Sequence, residues 1–130
     1  MKYLLDVNVL IALSLGAHVH HGAAERWAAQ VKRTGGTLYS CTVSELGFVR
    51  ITAAQGFLPG VAHAQTALAK LKKSLAVSLV DDGVGLDRLP RYVRTHGQVT
   101  DGHLAELAAA HGAQLATFDL RIPGAAVISP

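Results

Sequence analysis

Cysteine is nearly absent. Cys41 stands alone, which excludes an internal disulfide and leaves a reducing compartment open. It is read as a small buried hydrophobe in a strand. Aromatic residues are also scarce, with three Phe, three Tyr and one Trp, so Leu, Val, Ile and Ala have to fill the core. Long apolar runs are lacking. Lys2 and the mostly apolar stretch to Leu15 have the outline of a secretory signal, but Asp6 and Asn8 interrupt it. The longest unbroken run there, Val9 to Leu13, is too short for a signal core or a membrane span. A cytoplasmic protein is expected. No Walker loop, dinucleotide-binding glycine fingerprint or nucleophilic Ser or Cys motif is present. His18, His20 and His21 lack further partners at zinc-site spacing and are read as residues at a helix entrance.

What is present fits one folded domain. The 130 residues are 50% hydrophobic and 16% charged, too apolar for a disordered chain. Twelve Lys and Arg against nine Asp and Glu give a net charge of +3, compatible with a polyanionic partner without establishing one. Lys70, Lys72 and Lys73 cluster at one helix end, and Arg88, Arg91 and Arg94 recur at every third residue. A solvated face with cations near a helix C-terminus accounts for them; phosphate contact is the sharper alternative.

Strands and helices alternate along the chain. Lys2 to Leu5 reads as a strand ending at Asp6, with a helix from Val7 to Leu15. A second helix spans His20 to Arg33, with Ala23, Trp27 and Val31 as its buried stripe, and Gly35-Gly36 closes it. Leu38 to Cys41 is the second strand. Thr42 to Ala54 is helical, with Leu46, Val49 and Ala53 along one side. After Pro59-Gly60 comes a helix striped by Val61, Ala64, Leu68, Leu71 and Leu75, then a strand from Ala76 to Val80. Leu86 to Val93 is expected to be helical, divided at Pro90. Asp101 to His111 is the clearest helix, and Leu115 to Thr117 and Ala126 to Ile128 are short strands. This order predicts a parallel sheet covered on both faces, with ligands beyond the carboxyl ends of its strands.

Four acids fall at that rim, and each also has a structural explanation. Asp6 suits an N-cap, although Asn8, within one turn of it, adds a second polar residue to an apolar segment. Thr42-Val-Ser-Glu45 matches a capping box, with Glu45 reaching back to the threonine backbone. Asp101 complements a helix dipole, and Asp119 suits a turn. Their joint placement is harder to explain this way. Asp6, Glu45 and Asp119 lie at or just after strand ends, and Asp101 opens a helix that leads back into the sheet. Carboxylates converging in one cleft suppress each other's ionisation unless cations neutralise them, and hard oxygen ligands suit Mg²⁺ or Mn²⁺. The Asp81-Asp82 pair, followed by Gly83, is read as a solvated turn.

YLLDVNVLIAL, SELGFVRI and VTDGHLAELAAAHGAQLATFDLRI, in this order, resemble the PIN-domain ribonucleases, and most of all the VapC toxins of bacterial toxin–antitoxin pairs. HVHHGAAERW is similar to the second-helix segment of one branch of that family. The resemblance covers nearly the whole chain and implies a three-layer α/β/α PIN-like domain over residues 1–130 with a short central parallel sheet. It implies an endoribonuclease using Mg²⁺ or Mn²⁺ and metal-activated water, with Asp6, Glu45, Asp101 and Asp119 as catalytic metal ligands. Asn8 and Thr117 match positions that support the site. Implied partners are RNA, a cognate antitoxin and a second copy of the chain. Arg50, Arg88, Arg91 and Arg94 are candidate phosphate contacts. Val7 departs mildly from the pattern, since such proteins often carry Thr there.

Other functions compete. A catalytically silent, acidic partner-binding module would use the same acids as caps and turns. A receiver-like Mg-binding switch has similar length, but such domains have a lysine at a late strand end, and here none follows Lys73. A DNA-directed nuclease using the same acids is a weaker third.

Overall fold

The computed structural model describes residues 1–130. Its elements in chain order are β1 (Lys2–Leu5), α1 (Val7–Ser14), α2 (His21–Arg33), β2 (Thr37–Ser40), α3 (Thr42–Ala54), α4 (Val61–Leu75), β3 (Ser78–Leu79), a 3₁₀ turn (His96–Gln98), α5 (Val99–Ala110), β4 (Gln114–Thr117) and β5 (Ala126–Val127). All strands pair in parallel in the order β3-β2-β1-β4-β5, with Leu4 opposite Tyr39 and Leu5 opposite Ala116.

Side chains alternate across each strand, and the core divides accordingly. Leu5 and Ala116 belong to a larger apolar cluster with α1, α2, α3 and α4, whereas Leu4 and Leu115 join Leu104, Leu107 and Ala108 of α5 on the opposite face. The expected α/β/α layering is therefore observed. The chain builds outward from β1 through β2 to β3, then crosses over to β4. Order reverses between β1 and β4, and a parallel sheet opens a crevice at such a switch point. No helix is long and apolar enough to cross a membrane.

Several local expectations are corrected. In α3 the buried residues are Ser44, Gly47, Phe48 and Thr52, while Leu46 is 59% exposed. Leu46 and Val49 instead border a groove against α4, shared with Leu68 and Leu79. In α4, Val61 is exposed, and in α2 Trp27 is only partly buried while Ala24 and Ala28 are fully covered. Segment 86–93 is a run of turns and not a helix. Cys41 is fully buried as expected, but it lies one residue beyond β2 as the N-cap of α3.

Candidate active site

The switch point gathers Asp6, just past the end of β1, with Thr117, the last residue of β4, and Asp119, two residues beyond it. Asp6 is the N-cap of α1: its Oδ1 accepts the Val7 N–H at 2.7 Å. Its other oxygen accepts the Thr117 hydroxyl at 2.8 Å. Capping and site placement are therefore compatible. The Thr117 Oγ1 in turn accepts from Asn8 Nδ2 at 3.1 Å and from the Asp119 N–H at 3.0 Å. Asn8 Oδ1 accepts the Phe118 N–H at 3.2 Å. The two polar residues that break the apolar N-terminal segment are thus tied to the end of β4, both through one buried hydroxyl and Asn8 also through the Phe118 backbone.

Asp101 enters from the other face, in the first turn of α5. Burial raises its pKa above the ordinary 3.8, and the charges of Asp6 and Asp119 raise it further, against the opposing pull of Arg121. The Asp6 pKa is raised mainly by burial. The Thr117 and Val7 hydrogen bonds oppose this, and the Asp119 charge adds to it. Asp119 is shifted the other way, because the Arg121 guanidinium grips it: Nε lies 3.0 Å from Oδ1 and Nη2 3.0 Å from Oδ2. Asp101, Asp119 and Arg121 line a cleft of about 300 Å³ with Tyr92 and Gln98.

Glu45 is engaged by other partners, at the groove between α3 and α4. Its Oε2 lies 2.7 Å from Lys72 Nζ of α4 and accepts the Ser40 hydroxyl. The expected capping box also belongs to other residues: Cys41 and Ser44 make it, with Thr42 already inside the helix. Glu45 is therefore not the cap its spacing suggested, and Lys72 has an ion-pair role that its helix-end position did not reveal. No group of three His, Cys, Asp or Glu side chains is arranged to enclose a metal ion. The donor chemistry nevertheless suits a hard divalent cation. Asp6 and Asp101 are acids whose ionisation is penalised, and neither has a cationic side chain bonded to it.

The remaining candidates are dispersed. Arg50, Arg91 and Arg94 are exposed, and Arg88 reaches only to within 3.9 Å of Glu106. Asp82 accepts His103 Nε2 at 2.7 Å and the Asp81 carbonyl meets His111 Nε2 at 2.8 Å. The acidic pair is thus a fastening of the 81–98 segment onto α5, more structured than a solvated turn. Sequence reasoning missed Arg121 and Tyr92. The spacing of Arg121 two residues after Asp119 was a usable signal; Tyr92 lay in a segment misread as helix.

A five-stranded parallel sheet with acids at its switch point belongs to a known class. The PIN domain family model matches residues 3–127, and the chain belongs to the PIN-domain family. Its relatives within that family are VapC ribonucleases. Ribonuclease VapC39 of Mycobacterium tuberculosis is 39% identical, covering 97% of this chain and 94% of its own. Ribonuclease VapC38 of the same species is also 39% identical, over 89% of this chain and 84% of its own. Two solved structures share the fold. VapBC2 of Rickettsia felis, bound to a promoter DNA fragment, superposes with TM-score 0.70 at 15% identity, over 98% of this chain and 97% of that one. VapC20 of Mycobacterium tuberculosis, a sarcin-ricin-loop-cleaving toxin, gives TM-score 0.69 at 16% identity, over 98% and 99%.

Proposed function

We propose that this chain is a Mg²⁺- or Mn²⁺-dependent endoribonuclease, acting as a single domain over residues 1–130 and serving as the toxin of a type II toxin–antitoxin pair. The observation that carries this reading is the convergence of Asp6, Asp101 and Asp119 at the β1/β4 switch point, in a chain 35–39% identical to named ribonucleases.

Asp6 and Asp101 would hold the ion, with Asp119 joining them as Arg121 lets go of it. Glu45, now paired with Lys72, would complete the acidic set. An ion held there would supply an activated water and charge stabilisation at the phosphate. The protein's own residues do the positioning. Thr117 fixes the Asp6 carboxylate by donating to Oδ2, and Asn8 fixes Thr117 and the backbone of Phe118. Arg121, 89% exposed at its side chain, is free to turn from Asp119 to a phosphodiester oxygen. Arg50, Arg88, Arg91 and Arg94 would hold more distant phosphates of the same RNA.

The Rickettsia relative was solved as a VapBC2 assembly, and a cognate antitoxin is the corresponding partner here. Exposed Leu46, Phe57, Val61 and Leu79 offer apolar area for that partner or for a homodimer. The setting would be the cytoplasm. Cleavage of single-stranded RNA by the purified chain should require Mg²⁺ or Mn²⁺, and D6N and D101N should each remove most of it. Wild-type protein that leaves RNA intact, or variants that cut undiminished, would return the chain to the silent acidic module.

A further inference from the structure

The HVHH segment between α1 and α2 has no part in the acid site as described, yet it ends beside it. Two of its rings are committed to structure. His18 Nδ1 accepts the His20 N–H at 3.0 Å, and His21 Nδ1 lies 2.8 Å from the Ala12 carbonyl, with its Nε2 2.9 Å from Glu25. His20 is different. It occupies the N-cap position of α2, but its side chain caps nothing and makes no hydrogen bond within the protein. Its ring stacks on Phe118, with centroids 4.9 Å apart and planes 21° from parallel, and meets the His18 ring only at a tilt, 5.7 Å away and 50° from parallel. Phe118 sits in the chain between Thr117 and Asp119, and its backbone N–H is held by Asn8. Both rings are partly exposed. Phe118 thus anchors the stack, packed against the larger core cluster and next in the chain to Asp119, while His20 keeps part of its surface in solvent.

We infer that His20 and Phe118 form a stacking platform for a nucleobase of single-stranded RNA at the edge of the acidic cleft. The inference rests on the ribonuclease reading and names a substrate-binding element for it. Unpaired bases are bound by stacking on aromatic and histidine rings, which tolerates any base because each has a π-face. A planar pair next to Asp119 suits that use, and a ring with no hydrogen-bonding duty is free to adjust to an incoming base. His20 would contact substrate directly. Phe118 would hold it in place from below.

Because the His20 side chain does not cap α2, H20A should leave the fold intact, and H20F should keep the stack without the imidazole. The test compares wild type, H20A and H20F by melting temperature, by steady-state cleavage of a short single-stranded RNA with Mn²⁺, and by anisotropy of the same labelled RNA in EDTA. The expected result is a rise of about tenfold in KM and Kd for H20A, kcat within about twofold, an unchanged melting temperature, and recovery in H20F. RNAs carrying one abasic nucleotide at successive positions around the cut should include one position that weakens wild type similarly and leaves H20A unaffected. Wild-type KM and Kd in H20A, or no recovery in H20F, would overturn the platform while leaving the ribonuclease reading standing. If the wild type does not cut RNA, the ribonuclease reading fails, and the platform is then judged on binding alone: equal Kd for wild type and H20A overturns it, and tenfold weakening restored by H20F supports it.

Discussion

The Thr117 hydroxyl is a small group with large consequences. It donates to Asp6 and accepts from Asn8 and from the Asp119 backbone, all within 2.8–3.1 Å. T117V keeps the shape and deletes the hydroxyl, so one buried carboxylate oxygen loses its donor and two N–H groups lose their acceptor. An unmet buried polar group costs about 1–3 kcal/mol. The Asp6 pKa should rise further, since the Thr117 hydrogen bond is the leading influence that lowers it. T117V should therefore melt several degrees lower and cleave RNA about 10–100-fold more slowly, the usual range for residues that orient ligands. T117S should behave as wild type, and a fully active, stable T117V would show that the network is dispensable. Asp101 makes the opposite prediction for stability. Its folded pKa lies above the ordinary 3.8, so the folded state binds its proton more tightly than the unfolded chain does. Its favourable contribution is complete below pH 3.8 and is lost as pH rises through the raised folded value. In metal-free buffer at neutral pH, D101N should consequently be more heat-stable than wild type, with the gap closing as the pH falls to the acid range. A gap independent of pH would contradict the electrostatic origin.

At the scale of elements, the first turn of α5 is positioned by contact with the 81–98 segment. A Cβ built on Gly102 would lie 2.3 Å from Val93 Cγ2 and 3.3 Å from the Pro90 ring, neither of which is a flexible tip. G102A should cost about 1–3 kcal/mol as overpacking and displace Asp101 next door, lowering cleavage more than the loss of stability explains. Melting curves alongside assays below the transition separate the two effects. This same segment marks where the sequence was opaque. Leu86 to Val93 carries helix-like spacing, but it is held by contacts remote in sequence: Asp82 to His103, the Asp81 carbonyl to His111, and Val93 against Gly102. None of these is visible in a local window. The strands and longer helices were legible because their periodicity is a local property, and the bounds of α3 were read without error. Its buried face was not, because that face is made of Ser44, Gly47, Phe48 and Thr52. Serine and threonine there satisfy their hydroxyls on the helix's own backbone, Thr52 on the Phe48 carbonyl and Ser44 on that of Cys41, so a hydropathy stripe points to the wrong side. For the acids, strand-end position singled out Asp6 and Asp119 and helix-start position singled out Asp101, whereas the Lys72 partner of Glu45 lies 27 residues further along the chain, in another helix.

Across the whole molecule, the fold places its acids where their charge opposes folding. Burial disfavours ionised Asp6 and Asp101, and the proximity of Asp119 adds to the penalty at both. The two layers of the core meet at this rim, Asp6 leading into α1 on one face of the sheet and Asp101 within α5 on the other. A cation bound between them would therefore join the two layers as well as neutralise the acids. A ligand that binds only the folded state stabilises it by RT ln(1 + [L]/Kd), about 2.7 kcal/mol at a hundredfold excess over Kd. Titration of the wild-type chain with Mn²⁺ should accordingly raise its melting temperature by several degrees, with the shift growing logarithmically past Kd. D101N, already relieved of its charge, should start from a higher metal-free value and gain little, and D6N should also gain little. R121A should respond at lower Mn²⁺ concentration than wild type, since the guanidinium that competes for Asp119 is gone. Equal shifts in wild type and D101N would mean that the ion binds elsewhere, and the acids at the switch point would then be structural.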